Sequence, residues 1–270
     1  MLYSQPLVSI VIPCYNHENF IQNSIQSVID QSYENIELII IDDGSIDNSV
    51  VKIQEMIDSC KERFVRFEFR SRANRGLSPT LNEALEWCQG KYFSPLASDD
   101  IYIGNKISLQ IDYLLINKCV VGLSGNIIYI DDKSREVSKT SFCNDIVSFE
   151  KIITHNYFLP ASSQIIKTST IKSIGGYDDN LLIEDWDMWL RLALCGEIHF
   201  ISDVLSYYRV HNSNTSKDFK SMNRERLLIL RKYKNKSVYI KALIKTIIVN
   251  FKQANPRKTE FIKKTFFKYS

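Results

Sequence analysis

The run Ile36-Glu37-Leu38-Ile39-Ile40-Ile41 constrains the fold more than any other stretch of this chain. It is almost wholly apolar and rich in β-branched side chains. A strand of that kind is buried on both faces, which requires a sheet covered by helices on its two sides. The flanking sequence agrees. Leu7 to Pro13 is another short apolar, β-branched run, and between the two Ile21, Ile25, Val28 and Ile29 share one helical face. Val50, Ile53, Ile57 and Cys60 predict a second helix. Val65, Phe67 and Phe69 then alternate with Arg66 and Glu68 as a strand does. Ser78-Pro79 predicts an N-cap followed by proline at the first helical position, with Leu81, Ala84, Leu85 and Cys88 facing inward. Tyr92 to Ala97 is a fourth strand. The order β-α-β-α-β-α-β predicts an α/β fold with a mainly parallel, doubly wound sheet.

In such sheets ligands collect at the carboxyl ends of the strands. Two acidic clusters fall there: Asp42-Asp43, leading into Gly44-Ser45, and Asp99-Asp100 after Ser98. This placement is the strongest physical pointer to a site. The second half is less regular. Val120 to Ile130 reads as a strand, Asp131 to Ser134 as a turn, and Gly175-Gly176 as a loop. Asp185 to Cys195 reads as a helix ending at Gly196, and Ile198 to Ile201 and Val204 to Tyr208 as two strands.

The chain has 270 residues, enough for one large α/β domain with an appendage. Its net charge of +3 is unevenly spread. Arg231 to Ser270 carries twelve basic residues and one acid, so the preceding body is acidic. That balance argues against nucleic acid and for a basic attachment segment. Six scattered cysteines without a CxxC pair exclude a zinc knuckle and predict buried free thiols of a reducing cytosol. No basic stretch precedes the first apolar strand, so no signal peptide is expected, and no apolar run reaches the length of a membrane span.

Each cluster has a plain reading beside a chemical one. Asp42 to Asp47 forms either an Asp-Gly turn and helix cap, or a terminus that sets a carboxylate against the N3–H of a uracil. Tyr15, just past Pro13-Cys14, is either a loop aromatic or a ring for a nucleobase to stack on. Ser98-Asp99-Asp100 is a solvated turn or a clamp for Mn²⁺ or Mg²⁺, which take oxygen ligands and offset charge on a departing diphosphate. Glu184-Asp185-Trp186-Asp187 caps a helix or supplies a general base for an acceptor hydroxyl. His211, in Tyr208-Arg209-Val210-His211, is structural or a nitrogen ligand. His17, His155 and His199 have no metal-ligand spacing among them.

Taken in order, Pro13-Cys14-Tyr15-Asn16, Gln31-Ser32-Tyr33, Asp42-Asp43-Gly44-Ser45, Asn74-Arg75-Gly76, Ser98-Asp99-Asp100 and Glu184-Asp185 resemble the family 2 glycosyltransferases of bacteria. The similarity covers roughly residues 6 to 215. It implies a GT-A fold over residues 1–215, with a nucleotide-binding half at 1–102 and an acceptor half at 103–215, followed by a basic helical region at 216–270. By resemblance, Tyr15 and Asp43 are the uracil-binding pair, Pro13 begins the same loop, and Arg75 approaches the diphosphate. Asp99 lies near the ribose and sugar, Asp100 and His211 hold the metal, and Asp185 is the base, with Glu184 and Trp186 on the acceptor side. Ser98 stands where the family's DxD motif has its first acid, which puts a direct sugar contact there in doubt. The QxxRW segment of processive polymerases is absent, which implies addition of a single sugar.

The resemblance thus implies an inverting, metal-dependent hexosyltransferase. Its donor would be a UDP-sugar (glucose, galactose or an N-acetylated form). Its acceptor would be an undecaprenyl-diphosphate-linked saccharide of O-antigen or capsule synthesis, joined through a β-linkage. Lys241, Lys245 and Lys252 punctuate Leu243, Ile244, Ile247, Ile248 and Phe251, and Phe261, Ile262, Phe266 and Phe267 mix with Lys263, Lys264 and Lys268. Such a segment either lies on anionic lipid, placing the protein peripherally at the cytoplasmic face of the inner membrane, or packs on the body with a solvated basic face. The rivals are a nucleotidyltransferase, whose glycine-rich basic loop is missing from Pro13 to Asn19, and a catalytically silent sugar- or lipid-binding module. The latter would be expected to lose Asp100 or Asp185, and both are present.

Overall fold

The computed structural model describes residues 5–211 and 219–254. The first half runs β1 (Val8–Cys14), α1 (Ile21–Ile29), β2 (Ile36–Asp42), α2 (Ser49–Gln54), α3 (Ile57–Arg63), β3 (Arg66–Ser71), α4 (Leu77–Trp87), β4 (Tyr92–Pro95) and β5 (Ile101–Tyr102). Then come α5 (Lys106–Ile116), β6 (Val120–Ile130), β7 (Glu136–Lys139), β8 (Asp145–Ile146) and α6 (Phe149–Ile153). A short 3₁₀ turn (Ala161–Ser163), β9 (Ile165–Lys167), α7 (Thr168–Ser173), α8 (Glu184–Leu192) and β10 (Glu197–Arg209) follow. Two helices close the described chain, α9 (Phe219–Arg231) and α10 (Tyr239–Ala254).

One sheet carries all ten strands, in the order β3-β2-β1-β4-β9-β6-β10-β5, with β7 on β6 and β8 on β10. The strands β3, β2, β1 and β4 are mutually parallel, as the alternation predicts. β9 enters antiparallel between β4 and β6, which makes the sheet mixed. β1 and β4 are neighbours, whereas β2 and β3 lie on the other side of β1, so the strand order reverses between β1 and β4. In doubly wound sheets ligands bind at the carboxyl ends of the strands at such a reversal. Residues 15–17 and 98–100 follow these two strands directly.

The core divides over the two faces of the sheet. On one, Ile10, Ile12, Ile21, Ile25, Val28, Leu38 and Ile40 pack together; on the other, Val11, Ile39, Ile41, Leu81, Leu85, Phe93, Met188 and Trp189 do. Alternate residues of β1 and β2 thus go to opposite layers, which explains the unbroken apolar run. Each such side chain, fully buried, stabilises the fold by about 1.5–3 kcal/mol. Glu37, the acid inside that run, is fully buried and fully engaged: it accepts from Ser9, from the Gln89 and Gly90 amides and from Arg66.

Three elements differ from the sequence reading. The helix expected from Val50 to Cys60 is two helices, interrupted at Glu55-Met56. The N-cap of α4 is Gly76, at φ +94, rather than Ser78. Ser78 is buried and its hydroxyl donates to the Leu181 carbonyl, leaving Pro79 at the third helical position, where the N–H has no intrahelical partner anyway. The two strands expected between Ile198 and Tyr208 are one strand, β10, whose pairing with β6 shifts register around Val204.

The basic C-terminal region does pack on the body. Ile229, Leu230, Tyr233 and Ala242 join the core beside Trp189, and Lys232 bridges Asp178 and the buried Asp187 of α8 (2.8 and 2.7 Å). The outer face of α10 nonetheless leaves Ile240, Ile244, Ile247 and Ile248 exposed. Residues 255–270, including Phe261 to Lys268, lie outside the described residues. Among the described residues no helix is long and apolar enough to cross a membrane.

Candidate active site

Loops at the ends of β1, β2 and β3 form the first part of the site. The Asn16 amide donates to Ser45, the Ile46 amide donates to Asn16 Oδ1, and the His17 amide donates to Ser49 (2.9 Å each). These bonds lock the β1 loop onto the β2 loop. Asn16 takes φ +54, a conformation asparagine tolerates better than most residues. Pro13 pairs with Ile41 and Cys14 with Asp42 at the end of β1, and Tyr15, just past it, is 47% exposed. Asp43 is 5% exposed, and its carboxylate accepts from the backbone amides of Arg75 and Gly76 (2.8 Å each) and from the Arg72 guanidinium. The Arg75 side chain reaches outward, with its guanidinium 3.8 Å from Glu83.

The second part lies after β4. Asp99 meets His211 at 2.8 Å, and His17 Nδ1 is 2.7 Å from the Ser98 hydroxyl and 4.0 Å from Asp99. The ligand atoms of His17, Asp99 and His211 all lie within 4.8 Å of one another. Divalent ions bind such donors at about 2.0–2.2 Å, so three donors this close can share one ion after small side-chain adjustments. Burial depresses the basicity of His17 against the opposing charge of Asp99, which favours the neutral, ligating imidazole. Asp100 lies outside this group. It is buried, its Oδ1 accepts the Arg209 amide (2.8 Å), and burial together with the charge of Asp99 pushes its pKa well up. The geometry therefore brings His211 to Asp99 and not to Asp100. Arg209 ties the arrangement together, donating from Nε to the Asp99 carbonyl (2.8 Å) with its guanidinium 4.8 Å over Phe20.

The third part is the start of α8. The N-cap is Ile183, so Glu184 and Asp185 are the first two helical residues rather than caps. Both are half-buried. Burial, and then the charge of Asp185, push the Glu184 carboxyl up to about 8. Burial raises Asp185 also, opposed by its bond from the Trp186 amide (2.7 Å) and by the nearby Arg226 guanidinium. Those two partners favour the anion on Asp185, so the pair holds its proton on Glu184 near neutral pH. Trp186 donates its indole N–H to the Ile152 carbonyl (3.2 Å) and stacks on His155 at 4.7 Å. His155 is lowered to about 4 by burial and by Arg226. Burial, and then the charges of Glu184 and Asp185, push the buried Tyr177 hydroxyl well up.

Sequence reading missed His17, Arg72, Arg209 and Arg226. His17 carried a usable signal, since it stands two residues past Tyr15 in the same strand-end loop. Arg226 carried none, because only the packing of α9 brings it to Asp185.

A family model, "Glycosyl transferase family 2", matches residues 9–172. An uncharacterized glycosyltransferase of Rickettsia prowazekii is 32% identical over 80% of this chain and 67% of its own length. Another, from Rickettsia felis, is 31% identical over 82% of this chain, which spans only 37% of that relative's length. The Escherichia coli protein "UDP-Glc:alpha-D-GlcNAc-diphosphoundecaprenol beta-1,3-glucosyltransferase WfgD" is 29% identical over 92% of this chain and 94% of its own. Among solved structures, S. aureus TarS 1-349 in complex with UDP superposes with a TM-score of 0.64 at 20% identity, over 83% of this chain and 65% of that one. The mannosyltransferase PcManGT of Pyrobaculum calidifontis, in complex with GDP-Man and Mn2+, gives 0.69 at 14% identity, over 99% and 77%. These two likenesses bear out the GT-A fold, and the family match shows that the chain belongs to glycosyl transferase family 2.

Proposed function

We propose that this enzyme transfers one sugar from a UDP-sugar to a lipid-diphosphate-linked glycan of bacterial surface polysaccharide synthesis, of O-antigen or capsule type, with inversion at the anomeric carbon. The observation that carries the reading is the acid pair Glu184–Asp185, held half-buried at the start of α8, where burial and the charge of Asp185 raise Glu184 to about 8. An anionic Asp185 with raised basicity is suited to removing a proton from an acceptor hydroxyl. The freed oxygen attacks the anomeric carbon as the bond to the nucleoside diphosphate breaks on the opposite face, so an α-linked donor gives a β-glycoside. Tyr15 and Asp43 bind the uracil, Pro13 shapes their loop, and Arg75 reaches the diphosphate. Asp99 serves both the donor side and the metal, and Glu184 and Trp186 line the acceptor side.

The metal would be held by His17, Asp99 and His211, with Asp100 behind them. When bound it neutralises charge on the leaving diphosphate. A donor set with two imidazoles suits Mn²⁺ better than the all-oxygen preference of Mg²⁺. PcManGT, solved with GDP-Man and Mn2+, supports a metal, and TarS with UDP supports the nucleotide. WfgD, by its name a glucosyltransferase acting on a diphosphoundecaprenol-linked GlcNAc, supports glucose as donor sugar and a lipid-linked acceptor.

The acceptor class also fits α10. At 100° per residue, Ile240, Ile244, Ile247 and Ile248 fall within one narrow stripe, flanked on one side by Lys241, Lys245 and Lys252. An exposed apolar stripe with a basic flank suits peripheral attachment to the anionic inner face of the cytoplasmic membrane.

The test is a donor panel with Mn²⁺: UDP-glucose, UDP-galactose, their N-acetylated forms, GDP-mannose and dTDP-rhamnose, read as released nucleotide with and without chelator. Metal-dependent turnover of one UDP-sugar is expected. Silence with every donor and no UDP binding by calorimetry would favour the silent binding module instead.

A further inference from the structure

The proposed nucleobase site turns on one carboxylate, and a residue with no expected role holds that carboxylate in place. Arg72 lies just past β3 with a side chain 12% exposed. Its guanidinium reaches Asp43 on one side. On the other it is fixed to α4, with Nε donating to Glu83 (2.7 Å) and Nη2 to the Thr80 hydroxyl (2.9 Å), while Nη1 also donates to the Ala73 carbonyl (3.0 Å). Thr80 in turn donates to the Gly76 carbonyl (2.7 Å), and the Gly76 amide donates back to Asp43 (2.8 Å). The loop carrying these amides is pressed against the end of β2. Gly44 sits at φ +77, and a Cβ there would come within 2.6 Å of the Asn74 amide nitrogen. A planar guanidinium, with donors in a fixed fork, can bridge two carboxylates and a hydroxyl at once; a lysine ammonium lacks that geometry.

We propose that Arg72 is the positioning residue for nucleobase recognition, orienting the Asp43 carboxylate so that it accepts the N3–H of uracil. The proposal rests on the reading of Asp43 as the base-binding group. With Arg72 and the Arg75 amide occupying one Asp43 oxygen, the other, bonded only to the Gly76 amide, has a lone pair left for a ligand donor. Uracil presents N–H at N3, cytosine presents a lone pair at the same place, and methylation of N3 removes the donor. A carboxylate held in one orientation tells these three apart, and a carboxylate free to turn does so less well.

The experiment is calorimetric binding of UDP, CDP and N3-methyl-UDP to the full chain and to R72M, R72K, E83Q and D43N, with the melting temperature of each. The wild type is expected to favour UDP over the other two by about tenfold or more, the value of a hydrogen bond to a charged group. R72M is expected to lose most of that preference through weaker UDP binding, and R72K and E83Q to lose part of it. A merely structural arginine would weaken all three nucleotides alike and leave their ratio unchanged, which would overturn the proposal. If D43N abolishes the preference and the folded Arg72 variants keep it, Arg72 has no positioning role while Asp43 keeps its own. If D43N also keeps it, the reading of Asp43 fails and takes this proposal with it. Should R72M not fold, R72K and E83Q decide between these outcomes.

Discussion

Replacing Asp185 by asparagine isolates the proposed base from the rest of the site. The side chain is isosteric, and its amide oxygen can still accept the Trp186 amide that Asp185 accepts at 2.7 Å. The substitution removes a charge that Asp185 holds against burial and the like charge that helps raise Glu184, which offsets the counter-charge lost to Arg226, so folding stability should change little. What is lost is the proton acceptor. A positioned general base contributes about 10²–10⁴-fold, which at about 1.36 kcal/mol per decade is roughly 2.7–5.4 kcal/mol of barrier. Glu184 does not restore it, because adjacent residues point about 100° apart around a helix. The assay is acceptor-dependent nucleotide release at saturating donor, alongside donor affinity by calorimetry. D185N should bind donor as the wild type does and turn over at least a hundredfold more slowly. Turnover within tenfold of the wild type by a folded D185N would refute the assignment.

Glu184 gives a pH prediction for stability. Its carboxyl is raised from 4.5 to about 8 in the fold, so folding favours the protonated form, and that contribution, fully present below about 4.5, is lost progressively as pH rises from there through about 8. The wild-type melting temperature should fall over that window while that of E184Q falls less; parallel curves would contradict the burial argument. H17A should weaken the half-saturation for Mn²⁺ by at least about ten- to hundredfold, since removing a group that merely supports a metal ligand already costs that much. An unchanged Mn²⁺ titration would take His17 out of the site. Ile244→Glu with Ile247→Glu should reduce cosedimentation with anionic vesicles without changing the melting temperature by more than a few degrees, since both side chains are exposed. Undiminished binding would show that the stripe of α10 does not meet lipid.

Periodicity carries far in the first half of this chain because each strand and helix there is stabilised by its own pattern. Ile36 to Ile41 must be buried on both faces, and so the parallel sheet and the strand ends that carry the acidic clusters follow. Where tertiary contacts override local preference, the sequence misleads. Ser78 is a good cap residue, yet it is drawn inward to Leu181 and Gly76 takes the cap, since only a positive φ lets the chain turn from the Asp43-bound loop into α4. The antiparallel entry of β9 has no periodic signature, because Ile165–Lys167 is too short to show one. In the site, the acidic clusters are legible as strand ends. The partners of Asp99 are not, since His17 and His211 lie far apart in sequence and meet only when the β1 loop and the end of β10 close over Ser98–Asp100. The same holds for α9 and α10: their composition announces a basic amphipathic segment, while the bridge from Lys232 to Asp178 and Asp187 that seats them on α8 becomes visible only in the fold.

The proposed direct displacement sets Asp185 on one face of the sugar and the leaving diphosphate on the other. The measurement that tests it most directly is the anomeric configuration of the product, by proton NMR, from an α-linked UDP-sugar and a lipid-diphosphate-linked saccharide acceptor. A β-linked product, formed by the wild type and lost in D185N, is the predicted result. An α-linked product would mean retention, and would contradict the role given to the acid pair.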